Sequence, residues 1–120
     1  MTTVPGKYHR GDVVEVDFAP ARGSEPDKVR PCVIIQNDVG NKYSPVTIVA
    51  AITGAENVPR KYPVDVAVHK REGGLKKDSV VQCNLVRCVD ESRIQRQLGK
   101  LSETSMEEVD KALKISLALR

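Results

Sequence analysis

Two residues whose types suit phosphoryl chemistry stand at the ends of apolar runs. Arg30 precedes a proline in VRPCVIIQ, residues 29–36, and Thr53 closes VTIVAAIT, residues 46–53. If both runs are strands and neighbours in an antiparallel pair, the start of one lies beside the end of the other, which brings a guanidinium near a hydroxyl. A guanidinium stays protonated and presents a planar fork of donors that matches a phosphate. Such a pair suits a reaction in which the substrate supplies its own nucleophile. RNA does so through its 2′-hydroxyl, leaving the protein to orient the backbone and stabilise the added negative charge on the phosphorus. The plain alternative is a loop arginine and a threonine that merely ends a strand.

Other chemistries find less support. Only His9 and His69 are available as imidazoles, and neither stands at ligand spacing from another His, Cys or carboxylate pair, so no metal site is expected. The chain has no G-x-x-x-x-G-K-[ST] loop, no G-x-G-x-x-G and no G-x-S-x-G, and Gly73 and Gly74 in REGGL read as a turn. No cofactor is implied. Cys32, Cys83 and Cys88 form neither a C-x-x-C pair nor a ligand ladder and are expected to be small buried hydrophobes of a reduced compartment.

The net charge of +3 is too small to imply nucleic-acid binding by itself. Its distribution says more: residues 61–89 hold six Lys/Arg against three Asp/Glu, while the flanking segments balance. Lys61, Lys70, Arg71, Lys76, Lys77 and Arg87, with Arg60 just outside, form a local basic stretch that could meet phosphates or simply be a solvated loop. No apolar run reaches the length of a membrane span, and the N-terminus lacks the order of a secretion signal, so a cytoplasmic protein with no membrane role is expected.

The elements that must position these residues are mostly strands. A chain of 120 residues suggests one domain, residues 1–120. DVVEVDF (12–18) alternates apolar and acidic residues as a half-buried strand does; PCVIIQ (31–36) and VTIVAAIT (46–53) read as central strands. PVDVAV (63–68) alternates again, and SVVQC with LVRCV (79–89) predicts two short strands or one bent pair. Many short strands at close spacing predict a compact barrel or a strongly bent sheet. The loops 19–31, 37–45, 54–63 and 70–78 are long for so small a chain, and long loops in compact folds tend to carry function. From Thr104 the period turns helical through Met106, Val109, Leu113 and Leu117, with Thr104 and Glu107 as a capping box. A shorter helix is expected over Ser92 to Leu98, stopped by Gly99.

Taken in order, RGDVVEVDF, GSE followed by VRP, VIIQNDVGNKYSP, VAAIT, DSVV, VRCVD and KLSETSMEEVDKALKISLAL closely resemble the MazF/PemK toxins of bacterial toxin–antitoxin pairs, from Arg10 to Leu119. The resemblance implies an α+β protein, mainly β, with an SH3-like β-barrel of the MazF/PemK/CcdB type and a C-terminal helix. It further implies a homodimer that cuts single-stranded RNA, expected to be mRNA, at short sequences without a metal, leaving a 2′,3′-cyclic phosphate and a 5′-hydroxyl. A MazE-type antitoxin would hold it in check. By the same resemblance Arg30 and Thr53 occupy the catalytic positions. Ser24 and Glu25 occupy the G-S-E loop that borders the substrate groove, with Glu25 the candidate base. Two departures stand out. Pro26, Asp27 and Lys28 replace a Gly-containing link and should stiffen the loop. Asn84 and Leu85 replace an acid followed by Gln, so Asn84 and Arg87, the candidate substrate contacts of that segment, should read a different RNA sequence. The alternative within the same fold is a CcdB-like toxin that binds and inhibits DNA gyrase and cleaves nothing.

Overall fold

The structure is a computed structural model that describes residues 7–18 and 29–120. Six strands run through them: β1 (Asp12–Asp17), β2 (Val29–Ile34), β3 (Val46–Gly54), β4 (Asp65–Val68), β5 (Ser79–Asp90) and β6 (Ile94–Lys100). A short helix α1 (Asp38–Tyr43) joins β2 to β3, and α2 (Glu103–Ser116) follows β6. All pairings are antiparallel, in the order β4-β5-β3-β2-β1-β6. The expected architecture of a strand-rich fold with a C-terminal helix therefore stands, although the barrel is not closed, because β4 and β6 do not pair.

A glycine-rich turn occupies the gap. The one-turn 3-10 segment Glu72–Gly74 packs on β6 so tightly that a Cβ on Gly74 would lie 2.1 Å from the Leu98 carbonyl oxygen, and one on Gly99 would lie 2.5 Å from the Gly73 carbonyl carbon. Gly73 and Gly74 also have φ of +66° and +76°, so two independent constraints select glycine there.

Alternation along the strands buries both faces. Val13, Val33, Ala50, Ile52, Val81 and Cys83 form one core with Val109 and Ala112 of α2. Val14, Val16, Cys32, Ile34 and Val49 form another on the opposite face with Tyr8, Val89 and Ile94. Arg10 clasps α2 to the sheet, donating through Nε to the Ile35 carbonyl at 2.9 Å and pairing with Asp110.

Several expectations need correction. The helix expected over 92–98 does not form: one 3-10 turn at Glu91–Arg93 leads into β6, because pairing with β1 satisfies the backbone that a helix would otherwise satisfy internally. The N-cap of α2 is Ser102, not Thr104. Its Oγ accepts from Ser105 N at 3.1 Å, and the Glu72 carboxylate accepts from both Ser102 N and Oγ. The second strand begins at Val29 and ends at Ile34, so Arg30 lies inside it. The loop 37–45 contains α1, capped by Asn37 Oδ1 accepting from Gly40 N at 2.7 Å. The two expected short strands over 79–89 are one strand with an irregularity: Ala50 faces Val86 and Ala51 faces Gln82, leaving Cys83, Asn84 and Leu85 outside the β3 ladder. Cys32 and Cys83 are buried as expected, but Cys88 is exposed.

Candidate nucleic-acid site

Pro31 shapes the site. It brings no N–H to the sheet, and the β2–β3 pairing starts only at Cys32, opposite Ala51. Two residues further along each strand, on the same face, come Arg30 and Thr53. They stand beyond the paired segment, where the strands are free to part. β2 stays paired to β1 from Val29 to Val33, with Arg30 opposite Val16, so the arginine's backbone is fixed while its side chain is exposed.

Arg30 is shared by two grooves, each of about 570 Å³. The first also holds Thr53, Asn57, Lys76, Lys77, Glu15 and Arg96. The second has an apolar floor of Cys32, Val49 and Ala51 and is bordered by Phe18, Leu85 and Arg87. Within this array the charges are unequal in availability. Lys77 pairs with Glu56, and Arg96 pairs with Glu15. The Lys77 ammonium holds the Glu56 carboxyl below its usual range. Arg87 sits over the Phe18 ring, 4.8 Å from its centroid. Among the described residues no carboxylate pairs with Arg30, which leaves its fork open to an incoming anion.

The thiol beneath Arg30 is inert by comparison. Burial pushes Cys32 up to about 12, against the opposing pull of the Arg30 and Arg87 charges. At neutral pH it is a packed side chain rather than a nucleophile. Among the described residues no three His, Cys, Asp or Glu side chains gather as metal ligands.

The structure thus brings Arg30 and Thr53 to one groove and Arg30 and Arg87 to another. Asn84 is exposed on the unpaired segment of β5 but lines neither groove, and Ser24 and Glu25 lie outside the described residues. Of the basic stretch, Lys76, Lys77 and Arg87 reach the grooves, whereas Lys61, Lys70 and Arg71 line neither. Sequence reasoning missed Arg96, because it placed that residue in a helix, and Asn57, whose spacing of four residues after Thr53 was the available signal.

Residues 9–117 match the family described as PemK-like, MazF-like toxin of type II toxin–antitoxin system. Among solved structures, the chain is similar to an endoribonuclease from a mycobacterial species in complex with its cognate antitoxin. The TM-score is 0.77 at 19% identity, over 94% of this chain and 97% of that one. It is also similar to the Mycobacterium tuberculosis toxin MazF-mt6, with a TM-score of 0.74 at 23% identity over 91% and 98% of the two chains. MazF from Deinococcus radiodurans gives 0.73 at 23% identity over 93% and 97%. At these identities the structures speak for a shared fold, and the family match covers most of the sequence. The chain belongs to the PemK-like, MazF-like toxin family of type II toxin–antitoxin systems.

Proposed function

We propose that the protein is a metal-independent endoribonuclease that cuts single-stranded RNA, with mRNA as its target, and is restrained by a MazE-type antitoxin. The observation that carries this reading is the Arg30 guanidinium, with which no carboxylate among the described residues pairs, on the ridge between two grooves, in one of which Thr53 offers a hydroxyl. RNA laid across that ridge places a phosphate at Arg30. The 2′-oxygen attacks the phosphorus, the bond to the 5′-oxygen breaks, and the products are a 2′,3′-cyclic phosphate and a 5′-hydroxyl. Arg30 neutralises the charge that builds on the phosphorane and supports proton delivery to the departing 5′-oxygen. Thr53 holds a non-bridging oxygen. On the family pattern Glu25 takes the 2′-hydroxyl proton and Ser24 borders the substrate, while Asn84 and Arg87 contact the bases or phosphates beyond the scissile bond.

The toxin acts as a homodimer in this reading. A groove of about 420 Å³ between α2 and the sheet, with Ile35, Ile48, Val86, Leu113, Leu117 and Leu119, supplies apolar surface suited to a second copy. Solved relatives that carry their cognate antitoxin support an antitoxin partner for this chain as well.

The test is incubation of purified protein with a long single-stranded RNA in EDTA, followed by end mapping. Cleavage should leave 5′-hydroxyl ends, and Arg30→Ala should slow it by about two to three orders of magnitude, the cost of losing one donor to a developing oxyanion. Unchanged cutting in both Arg30→Ala and Thr53→Val refutes the reading. So does a wild-type protein that leaves RNA intact but blocks gyrase supercoiling.

A further inference from the structure

Thr53 is not left to orient itself. Asn57 Nδ2 donates to Thr53 Oγ1 at 3.0 Å, and both residues line the groove that holds Arg30. Asn57 closes the one-turn 3-10 segment Ala55–Asn57, which is tied twice to the neighbouring residues 77 and 78. Ala55 N donates to the Asp78 carbonyl at 2.9 Å, and Glu56 pairs with Lys77 across the same junction. The amide is thereby presented to the threonine from a fixed turn.

A threonine hydroxyl has one proton and two lone pairs. With one lone pair occupied by the Asn57 amide, the proton cannot point back along that line, and no acceptor among the described residues takes it. It is left for whatever occupies the groove. A non-bridging phosphate oxygen only accepts, so a hydroxyl held as a donor is the form the site needs before substrate arrives. We propose that Asn57 is a positioning residue that fixes Thr53 as a hydrogen-bond donor toward the scissile phosphate. This rests on the reading of the site as an RNA-cleaving one.

Side-chain replacement separates this role from a structural one. Asn57→Ala removes the amide, releases the hydroxyl rotor and should lower kcat about tenfold with KM for RNA nearly unchanged. Asn57→Asp keeps the shape but turns the hydrogen bond round, because a carboxylate accepts the Thr53 proton; its loss should exceed that of Asn57→Ala. In a Thr53→Val background Asn57→Ala should cause no further loss, since the residue it acts through is already gone. Both single variants should melt near the wild-type temperature, as Asn57 is exposed. An equal loss from Asn57→Ala in both backgrounds, or wild-type turnover in Asn57→Asp, overturns the inference. Wild-type cutting by Thr53→Val together with Arg30→Ala would instead overturn the cleavage reading itself, so the two failures are distinguishable in one set of assays.

Discussion

Replacing Gly74 by alanine should damage this fold more than any other single added methyl group in its turns. The new Cβ would sit 2.1 Å from the Leu98 oxygen and 2.6 Å from its carbonyl carbon, and both belong to strand backbone that cannot swing aside. Restoring ordinary contact requires β6 or the turn to retreat by roughly 1 Å, against pairing with β1 on one side. The φ of +76° adds about 1–2 kcal/mol for a residue bearing a Cβ. With the displacement of packed backbone included, a loss of about 3–5 kcal/mol is expected, a large fraction of the roughly 5–15 kcal/mol that holds a domain of this size. Thermal unfolding followed by far-UV circular dichroism should show Tm lowered by about 10–20 °C. Gly40→Ala is the matched control. Its Cβ meets only the Gln36 side chain at 3.0 Å, inside a helix where alanine is favoured, and its cost should stay within about 1 kcal/mol. A Gly74→Ala protein that melts within 3 °C of wild type would refute the idea that close approach of this turn to β6 holds the open side of the sheet together.

Binding of single-stranded RNA should weaken about 20-fold between 50 and 200 mM salt if Arg30, Lys76 and Arg87 each meet a phosphate, and a flat titration would remove phosphate contacts from the account. The Glu72 carboxyl lies below its usual range: burial opposes this, but hydrogen bonds from Ser105 and Ser102 outweigh it. Its contribution to stability is therefore present above the unfolded carboxyl range and lost as pH falls through the folded one. Glu72→Ala should lower stability by about 1 kcal/mol at pH 7, a difference that urea titrations should find shrinking as pH falls through the lowered carboxyl range of the folded state. Alkylation of the native protein should label Cys88 and spare Cys32 and Cys83, whose burial raises them to about 12 and about 11. Cys88→Ser should abolish labelling until the protein is unfolded.

How far the sequence could be read depended on whether a signal was local. The runs at 12–18 and 46–53 were legible as strands from local signals alone, the first by its alternation and the second as a nearly continuous apolar run rich in β-branched residues. Arg30 and Thr53 could be paired from strand ends alone, since antiparallel neighbours leave few arrangements. Residues 92–98 misled because Gln95, Arg96 and Gln97 are compatible with a helix, and only pairing with β1 makes them a strand. The cap of α2 hid for a similar reason: Ser102 is completed by Glu72, thirty residues earlier in the chain, where a local box at Thr104 was easier to see. Asn57 was missed because its four-residue spacing from Thr53 gains meaning only once the 3-10 turn brings the amide to the hydroxyl. Cys88 broke the rule of buried thiols because it ends a run of β5, from Asn84 on, that is exposed throughout.

That irregular segment has a bearing on how such a protein can change over generations. Cys83, Asn84 and Leu85 stand outside the β3 ladder, with strict register resuming on either side of them at Gln82 and Val86. Asn84 and Leu85 are exposed, so neither pairing nor core volume dictates their identity. Substitutions at these two positions leave the sheet's register unchanged and barely touch stability, while altering the face shown beside Arg87 and Phe18. A lineage can therefore change the exposed chemistry there by single steps that remain folded throughout, while the Arg30 backbone stays fixed by its pairing to β1.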